Sequence, residues 1–329
     1  CKSRNKLPSK TIFYIAIVIE SMKIITIISL FVLMCYLGLA QQINEWKDHL
    51  SYYQTTKVFS SPEMIFCVTP YSLFSYEKEN GSIRRISKIN HLSDIEISEA
   101  SYSADFQSLI IGYTNGNIDI INGNKTTNYR DILRATQITN KTINQVKIID
   151  TIAYISGGFG IVLFDLSKKE IIENYSVGTS DNPIEVNATQ IKGDTIFSAT
   201  NKGLYYSLMD NPLIKFPQAW NKVTTLQKPN IEYTKLFLFN EKLYLNYSTT
   251  DFLGDTLYQV SAKGFKKITE LIGNNNMSFY PKGDTLVVSH NFNVSVYNKN
   301  FEVLSSYFDY QSASSPQPRY AIFDENAMW

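Results

Sequence analysis

Short apolar runs and polar turns follow one another along most of the chain, and the same arrangement returns at intervals of about forty residues, a length typical of repeat architectures. Each repeat contains a strand, a tight turn, an apolar strand, a turn rich in Ser, Thr or Gly, an aromatic strand and a polar strand. The third strands of successive repeats begin at Ser72, Gly116, Gly160, Gly203, Gly254 and Phe292, which are 44, 44, 43, 51 and 38 residues apart.

The apolar content of the strands predicts their place in the repeat. Second strands such as 109–113 are nearly continuous apolar runs, which suits strands covered on both faces. In last strands such as 82–86, apolar and polar residues alternate, so one face of the strand is exposed to solvent. Four short antiparallel strands at this period form one blade of a β-propeller, whereas a β-sandwich would explain the strands but no repeating unit of this size. No run of ten or more residues after residue 40 has helical periodicity.

The sequence therefore predicts an all-β fold, a β-propeller of four-stranded antiparallel blades over residues 41–329. Arg319–Asn326 resembles a further first strand and turn, and Ala327–Trp329 begins a second strand. We expect a seven-bladed type whose last blade is truncated in this chain, because a closed ring leaves no unpaired strand edge. The predicted complete blades are 43–98, 99–142, 143–185, 186–232, 233–275 and 276–314.

The amino-terminal region has a different pattern. Met22-Lys23 precedes Ile24–Ala40, a stretch without charge that ends in small residues before Gln41. This order predicts a signal peptide over 22–40, cleaved between Ala40 and Gln41, and export from the cytoplasm. A transmembrane anchor and a lipoprotein at Cys35 are the alternatives. Residues 1–21 are interpreted as a non-native upstream extension.

Charge and cysteine content narrow the classes of function. The net charge is +1, with 31 basic and 30 acidic residues, so no basic field favours nucleic acid. After cleavage at Ala40 only Cys67 of the three cysteines remains, which excludes an internal disulfide. Cys67 lies in an apolar run and is expected to be a buried structural thiol.

Motifs that carry chemistry are missing from the sequence. The histidines are far apart, and no spacing typical of zinc or EF-hand calcium sites occurs, so no metal, cofactor or catalytic residue is predicted. Gly157–Gly160 resembles a phosphate-binding loop, but no helix follows it. A turn that needs positive φ is the preferred interpretation.

Two polar and aromatic segments stand out, Trp46–Tyr53 and Asn90–Asp94. Their structural interpretation is a docking first strand anchored by Trp46 and an ordinary turn after a fourth strand. Their functional interpretation is a partner-binding edge, whose candidate residues are Trp46, His49, Tyr52, His91 and Asp94.

These two segments, together with Thr151–Val162, resemble the amino-terminal propeller of the PorZ family, surface components of the type IX secretion system of Bacteroidota. The Asn90–Asp94 turn also resembles a unit of two-component-regulator propellers, with His91 in place of the usual Gly. The resemblance covers about residues 43–329.

The resemblance implies a non-enzymatic scaffold at the cell surface, associated with the outer membrane. Its implied partners are a PorU-like sortase, PorV-like and PorQ-like outer-membrane proteins and anionic lipopolysaccharide, whose delivery to the sortase the scaffold would support. The family also implies a second propeller and a carboxy-terminal β-domain, which this sequence lacks. The alternatives are the sensor ectodomain of a hybrid two-component regulator and a propeller lyase or hydrolase; the latter would need clustered acids and histidines.

Four Asp-Thr-aliphatic triplets resemble the acceptor of Bacteroidota O-glycosylation. Ordinary turn chemistry at the entrance to a strand is the alternative interpretation. The candidate acceptors are Thr151, Thr195, Thr256 and Thr285.

Overall fold

A computed structural model describes residues 9–38, 50, 52, 54–179, 182–248, 255–261, 264–271, 275–308, 318–324 and 327–329. The chain divides into two units, Cys1–Lys47 and Asp48–Trp329. In the first unit, helix α1 spans Ser9–Gly38 and therefore covers most of the predicted signal peptide and part of the residues before it. None of the described helices combines the length and hydropathy needed to cross a bilayer. The predicted cleavage point, Ala40–Gln41, lies outside the described residues.

The second unit is built from four-stranded antiparallel sheets, and each sheet uses four strands that are consecutive in the chain. These sheets are the blades, numbered here in chain order. Blade 1 contains β1 (Lys57–Ser60), β2 (Met64–Val68), β3 (Leu73–Glu77) and β4 (Ile83–Ile86). Blade 2 contains β5 (Ile97–Ser103), β6 (Ser108–Tyr113), β7 (Ile118–Asn122) and β8 (Lys125–Tyr129). Blade 3 contains β9 (Ile143–Ile149), β10 (Ile152–Gly157), β11 (Gly160–Asp165) and β12 (Glu170–Tyr175).

The later blades follow the same order after a short hairpin of β13 (Gly178–Thr179) and β14 (Asn182–Pro183). Blade 4 contains β15 (Val186–Lys192), β16 (Thr195–Thr200), β17 (Gly203–Leu208) and β18 (Asn221–Lys222). Blade 5 contains β19 (Lys235–Phe239), β20 (Lys242–Tyr247), β21 (Thr256–Ser261) and β22 (Gly264–Ile268). Blade 6 contains β23 (Asn276–Lys282), β24 (Thr285–His290), β25 (Val294–Asn298) and β26 (Val303–Tyr307).

The predicted all-β propeller of four-stranded antiparallel blades is confirmed, but a seventh blade is not. The described residues form six four-stranded sheets, and the region predicted to begin another blade is a two-stranded hairpin. This closing hairpin consists of β27 (Phe323–Asp324) and β28 (Ala327–Met328). Its ladder continues for one pair, because Ile322 and Trp329 exchange two backbone hydrogen bonds of 3.0 Å.

Helices contribute little to the second unit, as the sequence predicts. Within its described part, α2 (Asp131–Arg134) and the 3₁₀ turns Pro217–Ala219 and Thr269–Leu271 are the helical elements. The first strand of blade 1 begins at Lys57, and Tyr52 lies outside any strand.

The hydrophobic core lies between blades, because the middle strands are apolar on both faces. Every residue of β6 is buried, whereas Ile83, Arg84 and Arg85 of the outer strand β4 are exposed. Ile161 of blade 3 and Ile196 of blade 4, both fully buried, belong to one cluster that fills the contact between these blades. We call such a face-to-face contact between neighbouring blades a seam.

The closing hairpin occupies the seam between blade 6 and blade 1. Ala321 joins the apolar cluster of blade 6 residues, including Val287 and Val296. The fully buried Ile322 joins Val58 and Ile65 of blade 1. In this structure a two-stranded element therefore packs against both blade 6 and blade 1.

Candidate functional site

The first strand of each blade faces a central channel. Residues from β1, β5, β9, β15, β19 and β23 line one cavity of about 500 Å³, and Tyr320, just before the closing hairpin, lines it too. A cavity of this volume is within the range that holds small ligands. The channel is therefore one candidate site of the propeller.

The channel carries an excess of positive charge. Among the described residues that line it, Lys57, Lys147 and Lys235 are basic and Glu99 is the one acid. Lys57 forms an ion pair with Glu99. Burial is the largest influence on Lys57 and lowers its pKa, but the charge and hydrogen bond of Glu99 and the interaction with Tyr320 together outweigh it, and the pKa is raised. Loss of hydration lowers the pKa values of Lys147 and Lys235, and the like charge of Lys57 adds to both shifts, while the attraction of Glu99 partly opposes the shift at Lys235.

The predicted partner-binding residues lie around the outer half of blade 1, as far as they are described. Trp46 and His49 fall outside the described residues. The ring of Tyr52 meets Phe74 edge-on, with centroids 6.1 Å apart. The Arg85 guanidinium lies over the same ring, 5.2 Å from its centroid, and forms a cation–π contact.

His91 connects blade 1 with blade 2 through an arginine. Its Nε2 lies 2.5 Å from Nη2 of Arg84, and the same Nη2 donates a hydrogen bond to Oδ1 of Asn124, in blade 2, at 3.0 Å. Burial and the positive charge of Arg84 both lower the pKa of His91, so its imidazole is neutral at neutral pH.

Asp94 fixes the connection between β4 and β5 to the turn between β6 and β7. Asn115 and Asn117 donate side-chain hydrogen bonds to its Oδ2 at 2.7 and 3.3 Å. Partial burial raises the pKa of Asp94, but these bonds and the one from the backbone of Ile95 outweigh it, and the pKa is lowered. The carboxylate is therefore charged and already hydrogen-bonded within the fold.

Tyr52 and His91 do not form one continuous site. They contact Arg85 and Arg84, which are adjacent on β4. Successive side chains of a strand point to opposite faces of the sheet, so these two contacts lie on opposite sides of blade 1. Asp94 has a third set of partners, so the structure divides the predicted edge into separate features.

Two exposed apolar side chains lie near Asp94, on loops that a backbone hydrogen bond joins. Tyr71 and Ile95 are 51% and 48% exposed. The backbone N–H of Ile97 donates a hydrogen bond of 2.7 Å to the carbonyl of Pro70, which brings their two loops side by side. We call this pair the blade-1 apolar surface. Exposed apolar groups that cluster on a loop face are typical of protein interaction sites.

The four candidate glycosylation threonines occupy unequal positions. Thr151 is exposed in the turn before β10, and Thr195 and Thr285 are half-buried at the start of β16 and β24. All three lie at the entrance to the second strand of their blades. Thr256 begins the third strand of blade 5 and is only 9% exposed. The hydroxyls of Thr195 and Thr285 already donate to Asp194 and to the carbonyl of Lys282.

The glycine cluster Gly157–Gly160 forms the turn between β10 and β11. Gly160 has φ +92°, in the region that favours glycine, and a Cβ at this position would collide with the carbonyl oxygen of Tyr175. A search of the residues that the structure describes finds no group of three or more His, Cys, Asp or Glu side chains placed to hold a metal ion. The Cys67 thiol is half-buried beside the cluster of Val58 and Ile65, and burial raises its pKa to about 11.

The channel lysines were missed by the sequence reasoning, which concentrated on the apolar second and third strands. A signal does exist, because Lys57, Lys147 and Lys235 all lie on first strands. Lysine is costly in a strand covered on both faces, so its recurrence on first strands indicates a solvent-filled space beside them.

Comparisons with known proteins agree with the fold. Residues 65–221 match the family model described as TSS9, PorZ, N-terminal beta-propeller domain. No curated protein sequence matches the chain significantly. The structure of PorZ, described as an essential bacterial surface component of the type IX secretion system of Porphyromonas gingivalis, superposes with TM-score 0.66 and 22% identity. That match covers 84% of this chain and 35% of PorZ, so the chain spans about a third of that protein.

Other propellers share the fold at lower identity. The RRP9 WD40 repeats match with TM-score 0.59 and 12% identity over 84% of each chain. The extracellular domain of the putative one-component system BT4673 from B. thetaiotaomicron matches with TM-score 0.58 and 14% identity, over 82% of this chain and 37% of the other. These similarities show the propeller fold alone. The family match makes residues 65–221 of the second unit similar to the N-terminal β-propeller domain of PorZ.

Proposed function

We propose that this propeller is a non-enzymatic, exported scaffold of a type IX secretion system, which holds partner proteins of the attachment complex at the outer membrane. The observation that carries the proposal is the match of residues 65–221 to the PorZ amino-terminal propeller. The partners we propose are a PorU-like sortase and PorV-like and PorQ-like proteins, with anionic lipopolysaccharide as the material delivered. The predicted signal peptide supports export.

The geometry of blade 1 supports a scaffold role. The blade-1 apolar surface, Tyr71 and Ile95, is held by the Asp94 hydrogen bonds and by the bond between Ile97 and Pro70, so its loops are fixed before any partner binds. A preordered surface loses little conformational entropy on binding. We propose this surface as a docking point for a protein of the complex.

The test is genetic complementation in the native host. Deletion of the gene should leave type IX cargo unprocessed or unattached at the cell surface, and the wild-type gene should restore attachment. The double variant Tyr71→Ser/Ile95→Ser should restore it poorly and should no longer co-purify with the sortase, because apolar contact area is lost.

The matched control is Ile172→Ser/Leu208→Ser, which changes two exposed apolar side chains on blades 3 and 4. It should complement fully. Normal cargo attachment in the deletion strain would contradict the secretion role as a whole. Equal behaviour of the two double variants would contradict only the assignment of the docking surface.

The same strains also test the sensor alternative. A sensor ectodomain of a hybrid two-component regulator would change transcription when deleted and would leave cargo attachment intact. Transcript profiling beside the attachment assay therefore separates the two functions.

A further inference from the structure

The central channel places like charges together without balancing them. Three lysines and one glutamate line the cavity among the described residues, which leaves two positive charges in excess. Charges of one sign repel more strongly in a narrow, protein-walled space than in bulk water. If these side chains only filled space, neutral side chains would fill it without the repulsion between like charges.

The single acid cannot balance the other lysines. Glu99 is paired with Lys57, and its Oε1 also accepts a hydrogen bond of 2.8 Å from the backbone N–H of Ala100. Lys147 is on β9 of blade 3 and Lys235 is on β19 of blade 5, so two different walls supply the excess charge. Within the part of the chain that the structure describes, neither ammonium group has a hydrogen-bond or ion-pair partner.

Neutral donors lie beside the two ammonium groups. Gln145 lines the same wall as Lys147; its Oε1 accepts a bond of 2.7 Å from the backbone of Thr189, which leaves its amide N–H groups as donors. Tyr280 and Tyr320 also line the cavity. Burial raises the pKa of the Tyr320 hydroxyl, so it keeps its proton and can donate it to an acceptor. The lining is thus rich in donors and carries positive charge, which is the chemistry that recognises an oxyanion.

We propose that the central channel binds a doubly charged oxyanion of the phosphate class, with Lys147 and Lys235 as its counter-charges and Lys57, Gln145 and Tyr320 as neighbouring donors. The charge of such an ion equals the excess charge of the lining. The cavity of about 500 Å³ is larger than an inorganic phosphate needs, so a small phosphate ester also fits. This site is independent of the partner contacts on blade 1.

The experiment is calorimetric titration of the purified full chain, kept in a non-ionic detergent because α1 exposes apolar side chains. Inorganic phosphate is one probe and glycerol 3-phosphate is the other, both at constant ionic strength set with sodium chloride. We expect saturable binding of one anion per chain. Tighter binding of the ester indicates that the natural ligand is organic, and equal binding indicates the free ion; both results support the site.

The variants Lys147→Gln and Lys235→Gln should each weaken binding by at least about tenfold, as expected for the loss of a charge-assisted hydrogen bond. Lys267→Gln is the matched control, because Lys267 belongs to the same blade as Lys235 but lies on its outer strand β22. It should leave binding unchanged. No saturable binding of either probe, or equal weakening by Lys267→Gln, would overturn the proposal.

Thermal melting provides a second measurement. Without phosphate, Lys235→Gln should melt at the same temperature as the wild type or above it, because the desolvation cost of the Lys235 ammonium group is removed. Phosphate should raise the melting temperature of the wild type and of Lys267→Gln, and should not raise that of Lys235→Gln. A phosphate-induced rise of the same size in all three proteins would show binding elsewhere and would overturn the site.

Discussion

The seam between blades 3 and 4 and the seam between blades 6 and 1 close the same ring by different means. Between blades 3 and 4, two complete sheets pack face to face, and their cluster includes Ile161, Ile196 and Trp220. Between blades 6 and 1, a hairpin with strands of two residues supplies Ala321 and Ile322. Both seams exclude water from large aliphatic side chains, but the element between blades 6 and 1 has strands of only two residues.

This difference separates burial from cooperativity. A fully buried side chain in a complete sheet becomes exposed to water only when the blade unfolds. A side chain in the closing hairpin can become exposed when the hairpin alone detaches. Equal burial therefore predicts unequal stability effects. The two seams offer the same residue type for a direct test, because Ile196 and Ile322 are both fully buried.

The largest effect is expected from Ile196→Ala, which should lower the free energy of unfolding by about 4 kcal/mol through lost burial and a cavity. Ile322→Ala should lower it by only about 2 kcal/mol, since detachment of the hairpin limits the loss. Urea denaturation measures both values. Hydrogen exchange should show faster exchange only at the closing hairpin for Ile322→Ala. Equal losses in the two variants would mean that the hairpin unfolds together with the blades.

The next-largest effect is a loss of folding stability at acidic pH, and it originates at the contact between blades 5 and 6. His290 is buried, with Nε2 3.1 Å from the hydroxyl of Tyr297, and burial lowers its pKa from 6.5 to about 4. Between these two values the unfolded chain binds a proton that the folded chain does not. Stability is therefore intact above pH 6.5 and falls as the pH approaches 4.

At the lower end of that range, the titration of His290 should lower the free energy of unfolding by about 2–3 kcal/mol. The variant His290→Gln keeps a polar group and removes the titration, so it should lose less stability between neutral and acidic pH. Urea denaturation at several pH values measures the difference between the two proteins. Parallel pH profiles would show that His290 is not responsible and that the acid response comes from carboxylates.

The smallest effect is expected at the ion pair between Lys78 of blade 1 and Asp324 of the closing hairpin, whose N–O distance is 2.6 Å. Asp324→Asn should cost about 1 kcal/mol, near the upper value for partly exposed pairs. Lys78 keeps a bond of 2.7 Å to the carbonyl of Ser61, which limits the loss. Thermal melts in low and high salt measure this loss. The difference in melting temperature between the variant and the wild type should be smaller in high salt. A gap that does not change would assign the loss to hydrogen bonding instead of charge.

The blades could be predicted from the sequence because their middle strands are apolar on both faces. The predicted third strands at Gly160 and Gly203 begin where β11 and β17 begin, and the tight turns beside them need glycine. The strand pair predicted near Arg319–Trp329 also occurs, as the closing hairpin. Hydrophobic burial determines these features, and the local run of apolar residues shows which strands are buried.

Alternation alone did not assign the channel faces of some first strands, because β5 and β15 contain bulges. The pairing register shifts between Ile97 and Glu99 and again between Val186 and Ala188, which leaves Ser98 and Asn187 as extra residues. One extra residue reverses which side chains face the channel, so alternation along the sequence does not assign a face. The contacts of His91 and Asp94 were likewise unpredictable, because His91 is linked to Asn124 of the next blade only through Arg84, and Asp94 accepts a hydrogen bond from Asn115 of that blade.

Each blade is made of four consecutive strands, so among the described residues no shared sheet joins the two sides of the ring at the closing hairpin. The links across it are side-chain packing, the Lys78–Asp324 pair and a bond from Lys282 to the carbonyl of Phe323. Under a mechanical pull applied at Lys57 and Trp329, the ring should open at this point before any blade loses a strand. Force spectroscopy would then record a short, low-force extension that is reversible, followed by the unravelling of whole blades.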